Sequence, residues 1–290
     1  MNNPLLKTAS LAIILTGAFA FAARAEQLFV WTTATEGTDI FAAGGTGTGA
    51  GGTGSGKFFY GGTPIPVPHT KLQFQNGVTT ANTLDYFVGK FNSRSLATVG
   101  DTLSLSFTAT ITNLRTDIGQ TLRFGLFNTT GTTNGFGNAT GYRADYGVSN
   151  SGNGIRERTG TNDVLWSTGT VSPLVGVQDS SNFTFTPANG AAYTGSFTIE
   201  LLSGNRVAVT SQIGSITATS IIDGATPFTT FNAFSFLIIN GTERSDINFS
   251  NLSVDFTAAP TIPETSASTL LAGALVIVLA TMLRAFRKQP

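Results

Sequence analysis

The sequence predicts an all-β fold, a two-sheet antiparallel sandwich or jelly roll, on the strength of three observations. From Thr102 to Thr112 every odd position is apolar and every even position is Ser or Thr. This is the period of two that a half-buried strand requires. About ten further short segments with strand character lie between positions 26 and 260, where no stretch shows the 3.6-residue period of a capped helix.

The other strands follow from the same alternation. The segment around Phe234 and Phe236 is apolar on both faces, so we expect it at the centre of a sheet. Ser203-Gly204-Asn205 predicts a hairpin turn, and a change of phase at Ser250-Asn251 predicts a β-bulge. Further predicted strands lie around 122–126, 197–201 and 207–209, and at 71–75, 83–88, 141–148 and 182–186.

Composition excludes several classes of function. Only 11% of the 290 residues are charged, and 16 basic residues balance 16 acidic ones, so the basic patch that nucleic-acid binding needs is not expected. The chain has no Cys and one His, which argues against a disulfide scaffold and against thiolate or multi-histidine metal centres. We therefore expect no metal, no cofactor and no nucleic-acid partner.

The N-terminal segment, 1–25, has the order of a secretory signal helix. A short, weakly basic stretch precedes an apolar run, and Ala23-Arg24-Ala25 supplies the small residues that signal peptidase reads. Cleavage is expected between Ala25 and Glu26, which makes signal peptidase a partner and the remainder an exported protein. The alternative is an uncleaved membrane anchor, for which the apolar run is short.

The C-terminal segment, 259–290, has three parts. Pro263, Glu264 and Thr265 form a short polar motif, and an apolar stretch follows in which 269–286 is the predicted transmembrane helix. Basic residues close the chain and are expected to remain cytoplasmic as a membrane stop, which places the rest on the far side of the membrane. The alternative, a buried helix of a globular domain, fits poorly because the run lacks a polar stripe. The stop residues are Arg284, Arg287 and Lys288.

Motif, apolar helix and basic end together resemble the PEP-CTERM tails of bacteria with an outer membrane. In that family the motif is Pro-Glu-Pro, whereas this chain has Pro263-Glu264-Thr265. The resemblance implies an exosortase-type transpeptidase as partner. The same stretch is also similar to the sortase signal Leu-Pro-x-Thr-Gly, with Ile262 and Ser266 at the two departing positions. Either resemblance implies an inner-membrane anchor before processing, then attachment to the cell surface or the extracellular matrix.

The remaining chain divides into a short N-terminal part and a body. Residues 26–56 contain one strand and a Gly- and Thr-rich loop, and 57–258 form the predicted sandwich domain. The body resembles the exported sandwich proteins of the concanavalin-like lectin and glucanase class. The residues that carry this resemblance are Gly100-Asp101, the strand to Ile111, 122–128 and Gly141-Tyr142.

Motifs for catalysis are weak. Gly47, Gly49 and Gly52 match G-x-G-x-x-G, but no helix pattern follows, and a flexible loop is the better interpretation. The related glucanases use a Glu-x-Asp-x-x-Glu pattern, which does not occur here. His69 follows a Pro-rich stretch and is expected in an exposed loop. We therefore predict no catalytic residues and no enzyme.

Four residues form the candidate sugar-binding site. Tyr142, Arg143, Asp145 and Tyr146 combine aromatic rings with polar groups on one strand, and alternation places both tyrosines on the same side. The alternative is that the tyrosines pack in the core. Our first hypothesis is an exported, membrane-anchored structural or interaction protein of the envelope or polysaccharide matrix. A lectin-like module that binds extracellular polysaccharide is the alternative, and a glycosidase with dispersed carboxylates is a third hypothesis.

Overall fold

In the computed structural model, every described strand lies within Arg24–Ala259. The structure describes residues 25–45, 52–53, 57–60, 72–75, 84–114, 121–133, 135–148, 153–158, 165–166, 171–173, 183–222, 226–239 and 245–260. Its strands are β1 (Ala25–Val30), β2 (Ile40–Gly45), β3 (Gly52–Thr53), β4 (Lys57–Tyr60), β5 (Leu72–Gln75), β6 (Leu84–Ser95), β7 (Thr102–Thr112), β8 (Leu122–Asn128), β9 (Thr140–Tyr146), β10 (Gly154–Arg158), β11 (Val171–Pro173), β12 (Ala192–Leu202), β13 (Arg206–Ile213), β14 (Ile216–Ile222), β15 (Thr230–Ile239) and β16 (Asp246–Thr257).

The strands form two antiparallel sheets, which confirms the predicted all-β sandwich. Sheet A has the order β14-β13-β12-β7-β16-β5-β4, and β1 also pairs with β16. Sheet B has the order β11-β10-β9-β8-β15-β6-β2-β3. Trp31–Thr33 forms a short 3-10 turn after β1.

The two terminal segments are not among the described residues. Within the described ranges no helix has both the length and the apolar character needed to cross a membrane. Residues 1–24 and 261–290, which include the predicted sorting motif, the predicted span and the basic stop, lie outside the described residues.

Strand β7 shows how the alternation of apolar and polar residues buries one face of sheet A. Its odd positions are buried and its even Ser and Thr positions are partly exposed, as the alternation predicts. In register, Leu105 of β7 pairs with Phe197 of β12 on one side and Val254 of β16 on the other. The inner face of sheet A is therefore a continuous apolar surface across the three central strands.

Phenylalanine rings from the two sheets meet in the core. Phe107 of sheet A lies 5.1 Å from Phe124 and 5.0 Å from Phe236 of sheet B, measured between ring centroids, with both pairs edge to face. Such pairs contribute about 0.5–1.5 kcal/mol beyond their area burial. Tyr146 on β9 adds a polar link, because its hydroxyl donates to Ser211 Oγ on β13 at 2.8 Å. Aromatic packing and this hydrogen bond thus help to connect the sheets.

Two strand glycines make room for rings of the core. A Cβ at Gly89 would lie 2.1 Å from Cζ of Phe234, and one at Gly195 would lie 2.2 Å from Cζ of Phe107. These distances are far below contact, so the rings occupy the space that a side chain would take. Close ring packing therefore depends on glycine at both positions.

Most local predictions are confirmed, and two need correction. Ser203–Asn205 is the β12–β13 turn, the register slips between Phe249 and Asn251, and β15 lies at the centre of sheet B between β8 and β6. The predicted strand at 182–186 is wrong in its described part, where one isolated bridge joins Thr184 to Gly147. In the predicted Gly-rich loop, 44–45 end β2 and 52–53 form β3, while 46–51 and 54–56 lie outside the described residues.

The outer face of sheet B carries a second apolar cluster. Leu165 and Trp166 lie over this face, where Trp166 Nε1 donates to Ser235 Oγ at 2.9 Å. Arg123 Nη1 donates to the carbonyl of Trp166 at 3.1 Å, which holds the segment on the sheet. This part of sheet B is therefore buried on both faces. The cluster consists of Tyr86, Val88, Phe127, Phe136, Ala139, Leu165, Trp166, Ala233, Leu237 and Ile239.

Candidate functional site

The two tyrosines of the predicted sugar site lie in the core. Tyr142 and Tyr146 are fully buried on the inner face of β9, and the ring of Tyr146 stacks on Phe124 at 5.4 Å. The hydroxyl of Tyr142 accepts the amide N–H of Phe228 at 2.7 Å. Burial raises the pKa of both phenols. The geometry favours the alternative in which both rings pack in the core, and sugar binding by this strand stays a prediction.

The two charged residues of that prediction point to the opposite face. Arg143 and Asp145 are also fully buried, and Arg143 Nη2 donates to Asp145 Oδ2 at 3.1 Å. Alternation along β9 separates them from the tyrosines. The four residues therefore do not form one polar-aromatic surface. The predicted cleavage residues Ala25 and Glu26 are exposed at the start of β1, where Ala25 pairs with Thr257.

A cleft that the sequence did not reveal lies between β1 and β6. It has a volume of about 520 Å³ and opens to solvent. We call it the β1–β6 cleft. Its polar and aromatic lining comes from β1, from the segment between β1 and β2 and from β6: Gln27, Phe29, Thr33, Thr38, Asp39, Lys90, Phe91 and Asn92.

Both strands that border the cleft depart from regular pairing beside it. On β1 the register with β16 shifts between Gln27 and Phe29. On β6 the residues between Lys90 and Arg94 face one residue of β15, Asn232. Bulges bend a strand and re-aim its side chains, and they are common next to binding sites. The irregular backbone therefore exposes side chains that a regular sheet would pair with neighbours.

A tight loop fixes the acidic wall of the cleft. Asp39 Oδ2 accepts the amide N–H of Thr35 at 2.9 Å, and the amide of Asp39 donates back to the carbonyl of Thr35 at 2.8 Å. Gly37 lies in this loop with φ +82°, a conformation that favours glycine. No described residue donates to the second carboxylate oxygen of Asp39, so that oxygen can accept a ligand hydroxyl.

Lys90 forms the basic wall. Its amide donates to the carbonyl of Asp39 at 2.7 Å, and its ammonium donates to the carbonyl of Thr129. Burial lowers the pKa of Lys90. An ammonium has three N–H donors, so two remain for a ligand.

Two amides and one ring complete the cleft. Gln27 and Asn92 are exposed, and within the described structure their side chains make no hydrogen bond. Each carries both donors and an acceptor, as a carboxamide does. Phe91 is partly buried against the core and partly open to the cleft. The arrangement offers a hydrogen-bonding rim around an aromatic face.

Among the described residues no group of three His, Cys, Asp or Glu side chains converges. In the cleft, Asp39 is the acidic side chain among the described lining residues. The site therefore offers polar recognition groups from neutral and singly charged side chains.

No protein-family model matches the chain, and no curated protein matches it. Solved structures do match. One is peanut lectin, at 12% identity and TM-score 0.41, covering 82% of this chain and 100% of that one. Another is the potassium-bound carbohydrate recognition domain of Emp46p, at 12% identity and TM-score 0.46, covering 81% and 97%. A third is the CBM2 module of the evolved Dit of Lactobacillus casei BL23 phage J-1, at 12% identity and TM-score 0.44, covering 83% and 99%. At these identities and TM-scores the similarity carries no inference about a ligand.

Proposed function

We propose that this chain is an exported carbohydrate-binding protein that holds a saccharide in the β1–β6 cleft. The observation that carries the proposal is the pair of strand irregularities at the cleft, which present Gln27 and Asn92 to solvent without protein partners among the described residues. Unengaged amides beside an aromatic ring match a ligand that is rich in hydroxyls and has apolar C–H faces.

The charges of the cleft support a neutral saccharide over a strongly charged ligand. Asp39 and Lys90 stand on adjacent backbone segments, joined by the hydrogen bond from the Lys90 amide. One carboxylate and one ammonium balance each other, so the cleft has no large field of one sign. A sugar hydroxyl can donate to a carboxylate or accept from an ammonium, so both groups suit a neutral saccharide.

Binding is a better proposal than hydrolysis for this cleft. Most glycosidases use two carboxyl groups on either side of the scissile bond. The described lining supplies one, Asp39, whose Oδ2 already holds the loop through Thr35. The lectin-like hypothesis thus suits the geometry better than the glycosidase hypothesis.

A glycan array followed by titration tests the proposal. The full chain is screened against neutral and acidic oligosaccharides, and the affinity for a positive glycan is then compared with that of Asn92→Ala and Phe91→Leu. Loss of the Asn92 amide is expected to weaken binding about tenfold or more, equivalent to about 1.4 kcal/mol. Asn251→Ala is the matched control, since Asn251 is also an exposed strand residue but lies on β16 away from the cleft. Equal affinities for Asn92→Ala and wild type would contradict cleft binding.

We also propose that the C-terminal tail delivers the sandwich to the envelope or the extracellular matrix. The tail is a membrane anchor that an exosortase-type transpeptidase cuts near Pro263–Thr265, with a sortase as the alternative enzyme. The support is the order of polar motif, uncharged apolar run and basic end in the sequence. The chain would then act as a structural or interaction protein whose sandwich contacts the matrix polysaccharide.

Intact-mass analysis of the surface fraction tests this second proposal. Processing predicts a chain that ends near Pro263–Thr265, and a chain that still ends at Pro290 would overturn it. Deletion of residues 262–290 is expected to release the protein into the medium. Pro263→Ala is expected to block processing, whereas Pro260→Ala, just upstream of the motif, serves as the matched control.

A further inference from the structure

Strand β14 forms one edge of sheet A. It pairs with β13 along its whole length, and in the described part of the chain no strand pairs with its other side. The side chains of Thr217 and Thr219 are exposed, and Ile221 is 47% exposed, which is unusual for a large apolar residue in this structure. The edge therefore presents both backbone and side chains to solvent.

The turn between β13 and β14 fixes which backbone groups point outward. Ile213 pairs with Ile216 across two residues, and Gly214, the first of them, has φ +57°, as a type II′ turn requires. The amide of Gly214 donates to the carbonyl of Thr194 on β12 at 2.8 Å, so Ile213, one residue earlier, directs its backbone groups towards β14. Alternation along β14 then turns every second residue away from β13. The residues with outward N–H and C=O groups are Thr217, Thr219 and Ile221.

The other described sheet edges carry features that oppose pairing with a further strand. β3 has two residues, and β11 has three and ends in Pro173. β4 has four residues and begins with Lys57, and β1 carries Glu26, which forms an ion pair with Arg94. Short strands, proline and charged side chains are the means by which proteins block pairing at an edge. β14 has seven residues with no proline and no charge, so it lacks all three.

The sequence of β14 is compatible with antiparallel pairing to itself. In a register centred on Thr219, this residue lies opposite Thr219 of a second copy, and Thr217 lies opposite Ile221. All three outward-facing residues then form hydrogen-bonded pairs, and Thr opposite Thr is a favourable cross-strand pair. On the inner face Ala218 lies opposite Ser220, and both are small, as suits the pairs in which side chains come closest.

We propose that two copies of this chain associate through β14, in the antiparallel register centred on Thr219, so that sheet A of one copy continues into sheet A of the other. A second copy fits this edge because the strand matches itself and brings no like charges together. One strand from each copy makes a small interface, so we expect a reversible dimer. The interface does not depend on saccharide binding in the β1–β6 cleft.

Single cysteines test the register directly, because the chain has no cysteine of its own. In the proposed dimer the two Thr219 positions form a hydrogen-bonded pair, with Cα atoms about 5.5 Å apart. This distance lies within the range of about 4.4–6.8 Å that a disulfide bridges. The full chain with Thr219→Cys, in mild detergent and under mild oxidation, is therefore expected to form a disulfide-linked dimer on a non-reducing gel.

Thr217→Cys is the matched control. It changes an exposed threonine on the same strand and face, but in the proposed register Thr217 meets Ile221 and not its own copy. The two Thr217 positions lie four residues apart along the paired strands, about 13 Å, so a disulfide between them cannot form. Combining Thr217→Cys with Ile221→Cys brings two cysteines together again and is expected to restore the linked dimer.

The comparison also separates edge pairing from association through another part of the chain. Association through the apolar C-terminal segment would not distinguish two cysteines that differ only in register. Equal yields of linked dimer for Thr219→Cys and Thr217→Cys, whether high or absent, would overturn the proposal.

Sedimentation equilibrium tests the dimer without cross-linking. Wild type is expected to show a reversible equilibrium between monomer and dimer. Thr219→Lys places two ammonium groups opposite each other and is expected to raise the dissociation constant about tenfold or more. Thr194→Lys, at an exposed threonine on β12, two strands in from the edge, is the matched control and is expected to associate like wild type. A wild-type chain that stays monomeric throughout, or an unchanged dissociation constant in Thr219→Lys, would contradict pairing through β14.

Discussion

Replacing Asp145 by Asn tests how much the buried carboxylate contributes to stability. The change keeps the size of the side chain but removes the charge that faces Arg123, Arg143 and Arg156 at 3.0–4.0 Å. The fully buried guanidinium group of Arg143 would then lose the carboxylate to which it donates. Removal of one partner from a buried ion pair costs about 3–5 kcal/mol.

A loss of this size is easy to measure. For a domain of 150–250 residues each kcal/mol lowers Tm by about 2–4 °C, so Asp145→Asn is expected to lower it by about 6–20 °C. Urea unfolding followed by tryptophan fluorescence gives an independent value, because Trp166 is 2% exposed and lies against Arg143.

Asp255→Asn is the matched control, since Asp255 lies on the outer face of sheet A, is partly exposed and accepts a hydrogen bond from Ser253 Oγ. Its free energy of unfolding is expected to fall by less than about 1 kcal/mol. Equal losses for the two variants would refute the reasoning, because they would show that buried Arg143 does not depend on Asp145.

Three further predictions follow from buried contacts. Gly89→Ala is expected to cost about 1–3 kcal/mol in urea unfolding, because its Cβ would overlap the ring of Phe234; Phe234→Leu in the same chain should recover part of the loss, and strictly additive losses would contradict this. Tyr146→Phe is expected to cost about 1 kcal/mol by removing the hydroxyl that donates to Ser211 across the core, and an unchanged midpoint would contradict the link. Asp101 accepts amide N–H groups from three residues, which outweigh burial and lower its pKa; Asp101→Asn is therefore expected to lose about 1–2 kcal/mol above pH 5, a difference that shrinks as pH falls below about 4, and a pH-independent difference would be the contrary result.

The strands were predictable because side-chain alternation has a fixed period of two. In β7 each apolar residue is buried and each hydroxyl residue lies on the other face, so the sequence alone determined the orientation. The turn at Gly204 and the bulge at Ser250 also have local signals in the chain. In contrast, the segment 182–186 alternates like a strand, but its described part makes one bridge instead of a ladder.

The surroundings of β9 and the β1–β6 cleft could not be predicted, because both depend on contacts between segments that are separated in the sequence. Arg143 and Asp145 alternate with buried residues, which normally indicates a solvent face, but Leu165 and Trp166 cover this face from a distant part of the chain. The cleft depends on irregular pairing near Leu28 and Asn92; Leu28 has an ordinary strand sequence around it, and Asn92-Ser93, although common in turns, does not by itself indicate a bulge. The aromatic and charged residues of β9 could be recognised as unusual from the sequence. Which of these side chains share a face, and what covers them, depends on the fold.

The most direct test of the binding proposal is the location of a bound saccharide in crystals of the full chain. The crystals are soaked with a glycan that is positive in the array. Saccharide density between β1 and β6, in contact with Asn92 and the ring of Phe91, is the predicted result. Density on another surface, with the cleft free of saccharide, would contradict the account.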